Sequence, residues 1–275
     1  MAEGHSVVRW ARALGSLIGE PIVAADLPRR WSERTVSLPG QHVVSVATHG
    51  KHLLLHLSGG FTLHCHALMY GSWQFGRPGM QLRKPEKNVR VRLVTADREA
   101  VFFNGPVVEL LTEEELVAHE KLNALGPDVL HEDFDRDEAW RRLQAQAIRA
   151  IGDAVLDQTL VAGIGNIFKS EGLFLASINP LAPVAAVSRG QLERFWDVLI
   201  PIMNQSARRA GPIVTLDKSL RRNGERHWVY RRTGRPCYRC GTLIEMFRQG
   251  QLKRTTYRCP GCQDRPVEQQ GRLPL

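Results

Sequence analysis

Two pairs of cysteines constrain this chain more than any other feature. They stand in CYRCGTLIEMFRQGQLKRTTYRCPGC, where Cys237 and Cys240 form one C-x2-C knuckle and Cys259 and Cys262 form a second, 18 residues later. Two short knuckles at the ends of a hairpin present four thiolates tetrahedrally, so the spacing predicts one Zn²⁺. Four protein ligands leave no open coordination position, so this zinc is structural. TLIEMF and KRTTYR are the expected hairpin strands. Lys253 and Arg254 sit on the second strand, where a rigid hairpin can carry cations to a phosphate or into a groove. From the hairpin alone, a solvated arginine in a generic zinc ribbon is the competing reading.

The remaining composition narrows the class. A chain of 275 residues that is 43% hydrophobic supports real cores in two or three domains. A formal net charge of +9 favours an acidic polymer as partner. No stretch approaches the ~20 apolar residues of a membrane span. Glu3, His5, Arg9 and Arg12 interrupt any apolar leader. The expected compartment is therefore the cytoplasm, where thiols stay reduced.

Periodicity divides the chain. SVVRWARALGSLI (6–18) places Val7, Trp10, Ala11, Leu14, Leu17 and Ile18 at helical spacing, so a helix ties down the amino terminus. From 22 to 104 the period is two. HLLLHLSGGFTLHCHALM reads as two strands around Ser58–Gly60, and NVRVRLVTADREAVFF as another pair. A β-sandwich or barrel with one packed helix is expected there. The pattern then turns helical: Thr112 and Glu115 form a capping box, DAVLDQTL, DEAWRRLQAQAI and GQLERFWDVLIPIMNQSARRA read as helices, and Ser188 with Gln191 form a second box. LGPDVL (125–130) marks a boundary, 211–226 a mobile polar loop, and 265–275 a frayed tail. In VAGIGNIFKSEGLF, Gly163 and Gly165 permit a tight turn, and Asn166 is placed as the N-cap of the next helix, an anion site suited to a phosphate. His42, His49, His52, His56, His64 and His66 crowd the strands without one tidy ligand set, so they are read as strand histidines. Cys65 is read as a core thiol.

The order of these features (EGH after a small residue, GKH at 50–52, HALMYGSW at 66–73, VAGIGNIFKSE at 161–171, and a four-cysteine finger with Arg254 five residues before Cys259) resembles the formamidopyrimidine-DNA glycosylase/endonuclease VIII family of DNA repair enzymes. The resemblance covers about residues 1–263. EGH and the LMY stretch lean towards the endonuclease VIII branch. The resemblance implies a multidomain α+β fold: an N-terminal β-sandwich catalytic domain with its packed helix (1–124), a helix–two-turns–helix DNA-binding domain (130–228), a zinc finger (229–264) and the tail (265–275). It implies a monomeric bacterial base-excision enzyme acting on damaged, oxidised bases in double- or single-stranded DNA, with abasic-site lyase activity.

In that family the amino-terminal residue exposed by loss of Met1 is the nucleophile, and the next carboxylate moves protons. Those positions are Ala2 and Glu3 here. An α-amine has a reference pKa near 8 against about 10.4 for lysine, so far more of it is neutral at pH 7. A neutral amine can attack C1′, expel the base and leave a Schiff base. Lys51, Asn166 and Arg254 match the family's phosphate contacts, and Leu68, Met69 and Tyr70 match the wedge that fills the stack when a nucleotide is extruded. The chain departs from the family in having Ala2 where proline is usual. A proline iminium is permanently charged, whereas an alanine imine must be protonated to act as an electron sink. The alternative reading is therefore a damaged-DNA-binding homologue with weakened chemistry. A zinc-ribbon protein of transcription or the ribosome leaves MAEGH and HALMYGSW unexplained.

Overall fold

The computed structural model describes residues 2–221 and 224–264. Met1, the expected tail over 265–275 and two positions of the expected 211–226 loop lie outside the described residues. The chain forms two compact units, Met1–Ala124 and Leu125–Leu275. Among the described residues, no helix is long and apolar enough to cross a membrane.

The first unit is a sandwich of two four-stranded antiparallel sheets. Its strands are β1 (Ala24–Asp26), β2 (Val43–His49), β3 (His52–Leu57), β4 (Thr62–His66), β5 (Ser72–Gly76), β6 (Val89–Val94), β7 (Glu99–Phe103) and β8 (Val107–Leu111). One sheet has the order β1-β6-β7-β5 and the other β2-β3-β4-β8. Alternation explains the core: Leu53, Leu55 and Leu57 of β3 point inward together with Leu63 of β4, and meet Val91, Leu93 and Phe102 of the facing sheet. Helix α1 (Gly4–Leu14) buries Val7 and Leu14 in the same core, starting two residues earlier than the apolar spacing indicates.

The period-two reading fails between β1 and β2, where a 3₁₀ turn (Arg29–Trp31) leads into α2 (Ser32–Thr35). The cause is long-range. Trp31 Nε1 donates to the Val108 carbonyl at 2.8 Å, and Arg34 Nη1 to the Leu110 carbonyl at 2.6 Å. These side chains occupy carbonyls on the open edge of β8, which would otherwise invite pairing with another strand. Helices α3 (Glu113–Val117) and α4 (Glu120–Asn123) close the unit. The expected capping box is formed by Thr112 and Glu115, and His119 caps α4.

The second unit holds α5 (Arg136–Gln144), α6 (Ile151–Ala154), α7 (Asn166–Leu175), α8 (Arg189–Arg208), the hairpin β9 (Glu245–Gln249) and β10 (Arg254–Arg258), and α9 (Pro260–Gln263). The capping box of Ser188 and Gln191 opens α8. Two expected helices are shorter than their pattern. DAVLDQTL leaves the helix after Ala154, because the Asp157 carboxylate accepts from the Thr159 amide and hydroxyl and turns the chain there. DEAWRRLQAQAI stops at Gln144. Phe168, Phe195, Trp196 and Leu199 form the core between α7 and α8. Gly172 permits that approach, since a Cβ there would stand 2.8 Å from the Phe195 ring.

Helices and hairpin share a single unit through specific bonds. Gln249 Nε2 donates to the Pro180 carbonyl at 2.6 Å, and Gln263 Nε2 to the Ile178 carbonyl at 2.7 Å. Phe174, Val229, Ile244 and three of the finger cysteines pack into a common apolar cluster.

Candidate active site and nucleic-acid interface

At the amino terminus, Ala2 packs against the sandwich core, and Glu3 is fully buried. Glu3 is the N-cap of α1, and its carbonyl accepts from the Ser6 amide at 2.8 Å. His5 follows on the first turn, with its Nε2 3.1 Å from Ser6 Oγ. Burial, aided by the Arg9 charge, pushes the His5 pKa down to about 3, so its imidazole is neutral beside Glu3. Sequence reasoning attached no role to His5 because its burial depends on the packing of the whole helix.

Lys51 sits in the turn between β2 and β3, just after Gly50, whose φ of +59° suits the reversal. The next residue begins a ladder of imidazoles. His52 Nδ1 lies 2.8 Å from His64 Nε2, and the His52 and His66 rings are 4.3 Å apart between centroids. Burial lowers the pKa of both His52 and His64. Burial, with the neighbouring His64 and the Lys51 charge, brings His66 to about 4. Lys51 is therefore flanked by uncharged rings at neutral pH. Cys65, on the opposite face of β4, is a core thiol whose pKa burial drives upward.

Leu68, Met69 and Tyr70 stand on the turn joining β4 to β5. All three are exposed, Tyr70 to 77%. Leu68 holds a left-handed φ of +45°, a conformation that costs a non-glycine residue roughly 1–2 kcal/mol. The same strain recurs at Lys253 in the other unit, with φ +47°, at the turn of the β9–β10 hairpin.

Asn166 is not the N-cap of α7. Gly165 takes that place with an extended backbone, and Asn166 is the first helical residue. Glycine tolerates the cap position nearly as well as asparagine does. The Asn166 side chain is thereby released from capping, and its Oδ1 is buried without a protein hydrogen-bond partner. Arg254 opens β10 and lines a cavity of about 740 Å³ together with Arg149, Asp153, Asp157 and Gln158.

Two charged residues that the sequence reading passed over tie the helix of Asn166 to other parts of its unit, Lys169 to the strand of Arg254 and Glu171 to the segment before the finger. Lys169 is fully buried, and its Nζ donates to Thr256 Oγ1 at 2.7 Å and to the Thr255 carbonyl at 3.3 Å. Glu171, also fully buried, accepts from the amides of Trp228, Val229 and Tyr230 at 2.8–2.9 Å and from the Thr215 hydroxyl. The only available signal was two charges inside an otherwise apolar helix, FKSEGLF, which implies partners without naming them.

Cys237, Cys240, Cys259 and Cys262 converge, with all four sulfurs within 4.8 Å of one another. The Sγ···Sγ separations are 3.8 Å for Cys237–Cys262 and 3.4 Å for Cys240–Cys259. Hydrogen bonds from the neighbouring thiols and the Arg239 amide hold Cys237 well below the ordinary thiol range. The candidate residues thus divide between the units. Ala2, Glu3, Lys51, Leu68, Met69 and Tyr70 lie in the first, and Asn166, Lys253, Arg254 and the cysteines in the second.

Comparison with known proteins matches residues 1–107 to the formamidopyrimidine-DNA glycosylase N-terminal domain and residues 125–217 to the formamidopyrimidine-DNA glycosylase H2TH domain. A Streptomyces coelicolor protein named probable endonuclease 8 2 is 38% identical over 98% of this chain and 97% of its own length. The Mycolicibacterium smegmatis DNA-(apurinic or apyrimidinic site) lyase Nei2 is 36% identical over 96% of this chain and 99% of its own. Among solved structures, Lactococcus lactis Fpg in complex with abasic-site DNA superposes with a TM-score of 0.78, at 25% identity over 96% of this chain and all of that one.

Proposed function

The chain belongs to the family of formamidopyrimidine-DNA glycosylases and endonucleases 8, and from that membership we propose that it excises damaged, oxidised bases from DNA and cleaves the strand as an abasic-site lyase. The observation that carries the chemistry is Glu3, fully buried directly behind Ala2 at the start of α1. The names of its relatives, endonuclease 8 and abasic-site lyase, and the abasic DNA held by the solved neighbour support the same reaction.

With Met1 removed, Ala2 carries the α-amine. Its lone pair attacks C1′ of the damaged nucleotide, the C1′–base bond breaks, and the base leaves with a proton. Glu3 protonates the sugar oxygen as the ring opens, leaving an iminium between the Ala2 nitrogen and C1′. That cation acidifies the C2′ proton. Its removal sends an electron pair towards C3′ and expels the 3′ phosphate, which breaks the strand. Water then hydrolyses the imine and restores the amine. Lys51, Asn166, Lys253 and Arg254 hold phosphates, and Leu68, Met69 and Tyr70 fill the stack left by the extruded base.

The four thiols suit Zn²⁺. A tetrahedral ion with sulfurs at ~2.3 Å has edges of ~3.8 Å, close to the 3.4–3.8 Å between these sulfurs. Zinc bound there fixes the hairpin that bears Lys253 and Arg254 and takes no part in the chemistry. The working form is a monomer on DNA in the bacterial cytoplasm, on double- or single-stranded substrate.

A second reading rests on Ala2. Its imine must gain a proton before elimination, so binding without efficient cleavage is the competing outcome. Borohydride trapping on abasic DNA distinguishes the two. Protein shown by mass to lack Met1 should give a reduced adduct that maps to Ala2, and Ala2→Pro should raise the yield. An adduct on Lys51, or none at all from processed protein, would overturn the amino-terminal nucleophile and leave the binding reading.

A further inference from the structure

The imidazole ladder ends in a ligand set that its own strand does not disclose. His64 on β4 is the direct cross-strand partner of Glu109 on β8, so both side chains stand on the same face of the sheet. His64 Nδ1 is 2.8 Å from Glu109 Oε2. The N-cap of α4 brings His119 to the same oxygen, with Nε2 at 3.1 Å. The three donor atoms lie within 4.8 Å of one another. We propose that His64 Nδ1, a Glu109 carboxylate oxygen and His119 Nε2 form a second metal site, separate from the four cysteines, that takes one Zn²⁺ or a similar borderline divalent cation such as Co²⁺ or Ni²⁺.

Three observations support it. Two imidazoles and one carboxylate are a donor set preferred by these ions over Mg²⁺ or Ca²⁺. At ligand distances of ~2.0–2.2 Å, a tetrahedral ion sets its donors ~3.3 Å apart, so separations of 2.8 and 3.1 Å need only small side-chain movement. Finally, a supporting partner is within reach: His64 Nε2 lies 2.8 Å from His52 Nδ1, which can accept from it once His64 ligates through Nδ1. His64 is only 1% exposed but Glu109 is 30% exposed, which leaves the carboxylate side open to an entering ion and a water as fourth ligand.

The protons can be followed. In the metal-free arrangement the Leu122 amide donates to His119 Nδ1 at 3.2 Å, so Nδ1 is the accepting nitrogen and Nε2–H donates to Glu109. Glu109 also accepts from His64 Nδ1–H, and His64 Nε2 accepts from His52 Nδ1–H. Two N–H protons therefore point where the cation would sit. On binding, His64 moves its proton to Nε2 and donates it to His52, whose own proton passes to its other nitrogen. His119 moves its proton to Nδ1, which breaks the contact with the Leu122 amide. No redox change occurs and no net proton leaves the rings. The ion then ties β4, β8 and the α4 cap together.

The test uses full-length protein with its cysteine site loaded with zinc. Co²⁺ is added, and metal content is measured after dialysis. We expect a second equivalent of metal per chain, with Co²⁺ d–d absorption lacking the intense sulfur-to-cobalt bands of a thiolate site. We also expect the Leu122 amide resonance to shift as Co²⁺ or Zn²⁺ is titrated. Glu109→Gln and His119→Gln should each weaken Co²⁺ binding at this site by more than about 100-fold while retaining one zinc. Wild-type protein that holds only one equivalent under Zn²⁺, Co²⁺ and Ni²⁺ in turn would overturn the site. So would a second equivalent that survives in both variants, or an unmoved Leu122 amide. The wild-type stoichiometry and the amide shift decide the matter even if a variant fails to fold.

Discussion

The two units bury polarity in different proportions. Besides the carboxylates of Glu3 and Glu99, the first hides chiefly imidazoles. His5 and His64 are buried, His52 and His66 are partly so, and burial holds each of them neutral. The second hides full charges. Lys169 and Glu171 are fully buried, and Arg232 is nearly so, donating to the Trp228 and Pro236 carbonyls with its guanidinium 3.7 Å from the Tyr238 ring centroid. A neutral imidazole needs one or two partners but keeps its state only above a certain pH. A buried charge requires a nearly complete shell of donors or acceptors. The first unit should therefore fail with acid, and the second with the loss of a partner or a metal.

The most severe break should come at the cysteines. Cys237→Ala or Cys262→Ala is expected to release the finger's metal and abolish hydrogen-exchange protection across β9 and β10, with DNA binding lost at the same time. A structural zinc carries on the order of 10 kcal/mol, more than a hairpin of this size can replace. Strands β3 and β4 of the first unit should keep their protection. Metal still bound at the finger in both variants would remove the distinction.

Next in size is Glu171→Gln, which keeps the volume but turns an acceptor into a partial donor facing three amides. We expect a loss of about 3 kcal/mol, read by denaturant unfolding. A loss below about 1 kcal/mol would mean that the second unit does not depend on a complete shell.

The acid limb of the first unit should be smaller. The folded His5 pKa, about 3, lies below the ordinary 6.5, so the unfolded chain takes up the proton first. Its contribution is complete above pH 6.5 and is lost as pH falls from 6.5 towards 3, at up to ~1.4 kcal/mol per pH unit. By pH 5 that is roughly 2 kcal/mol. His5→Gln should flatten this slope whatever it does to stability at neutral pH, and a wild-type slope in the variant would contradict it. His227 in the second unit is lowered by burial in the same sense, so comparing exchange in the two units as pH falls shows how far the contrast holds.

The smallest structural effect belongs to Arg254→Ala. It should leave both units within about 0.5 kcal/mol of wild type. Affinity for damaged and undamaged duplex should fall alike, and the salt dependence of binding should flatten by about one unit. An unchanged slope would mean that Arg254 touches no phosphate.

Local rules carried much of the fold. The capping boxes at Thr112–Glu115 and Ser188–Gln191, the strand pair around Ser58–Gly60 and the cysteine spacing each depend on residues within a few positions, or one hairpin, of one another, and each was legible. The misreadings are of two kinds, one long-range and one local. Trp31 and Arg34 lie in a strand-like stretch but form a turn and short helix because β8, more than 70 residues away, offers bare carbonyls. Asn166 has the composition of an N-cap, yet Gly165 takes that position.

The candidate site shows the same limit. Ala2, Glu3, Lys51 and Arg254 could be named because a one-dimensional order of short motifs survives without coordinates. The sequence by itself also determined the chemistry on offer: an amine and a carboxylate at the start, four thiols at a metal spacing and a basic surface. Only the tertiary structure decided which side chains lose water. Glu3, His5, Lys169 and Glu171 are polar in any alignment of letters, and their burial is set by layers that close over them from distant parts of the chain. Pairing register decided that His64 faces Glu109, and the α4 N-cap decided that His119 reaches the same oxygen, across separations of 45 and 10 residues. Desolvation and proximity raise or lower a proton affinity and bring donor atoms to one point, and both are properties of the packed molecule rather than of its residues taken in order.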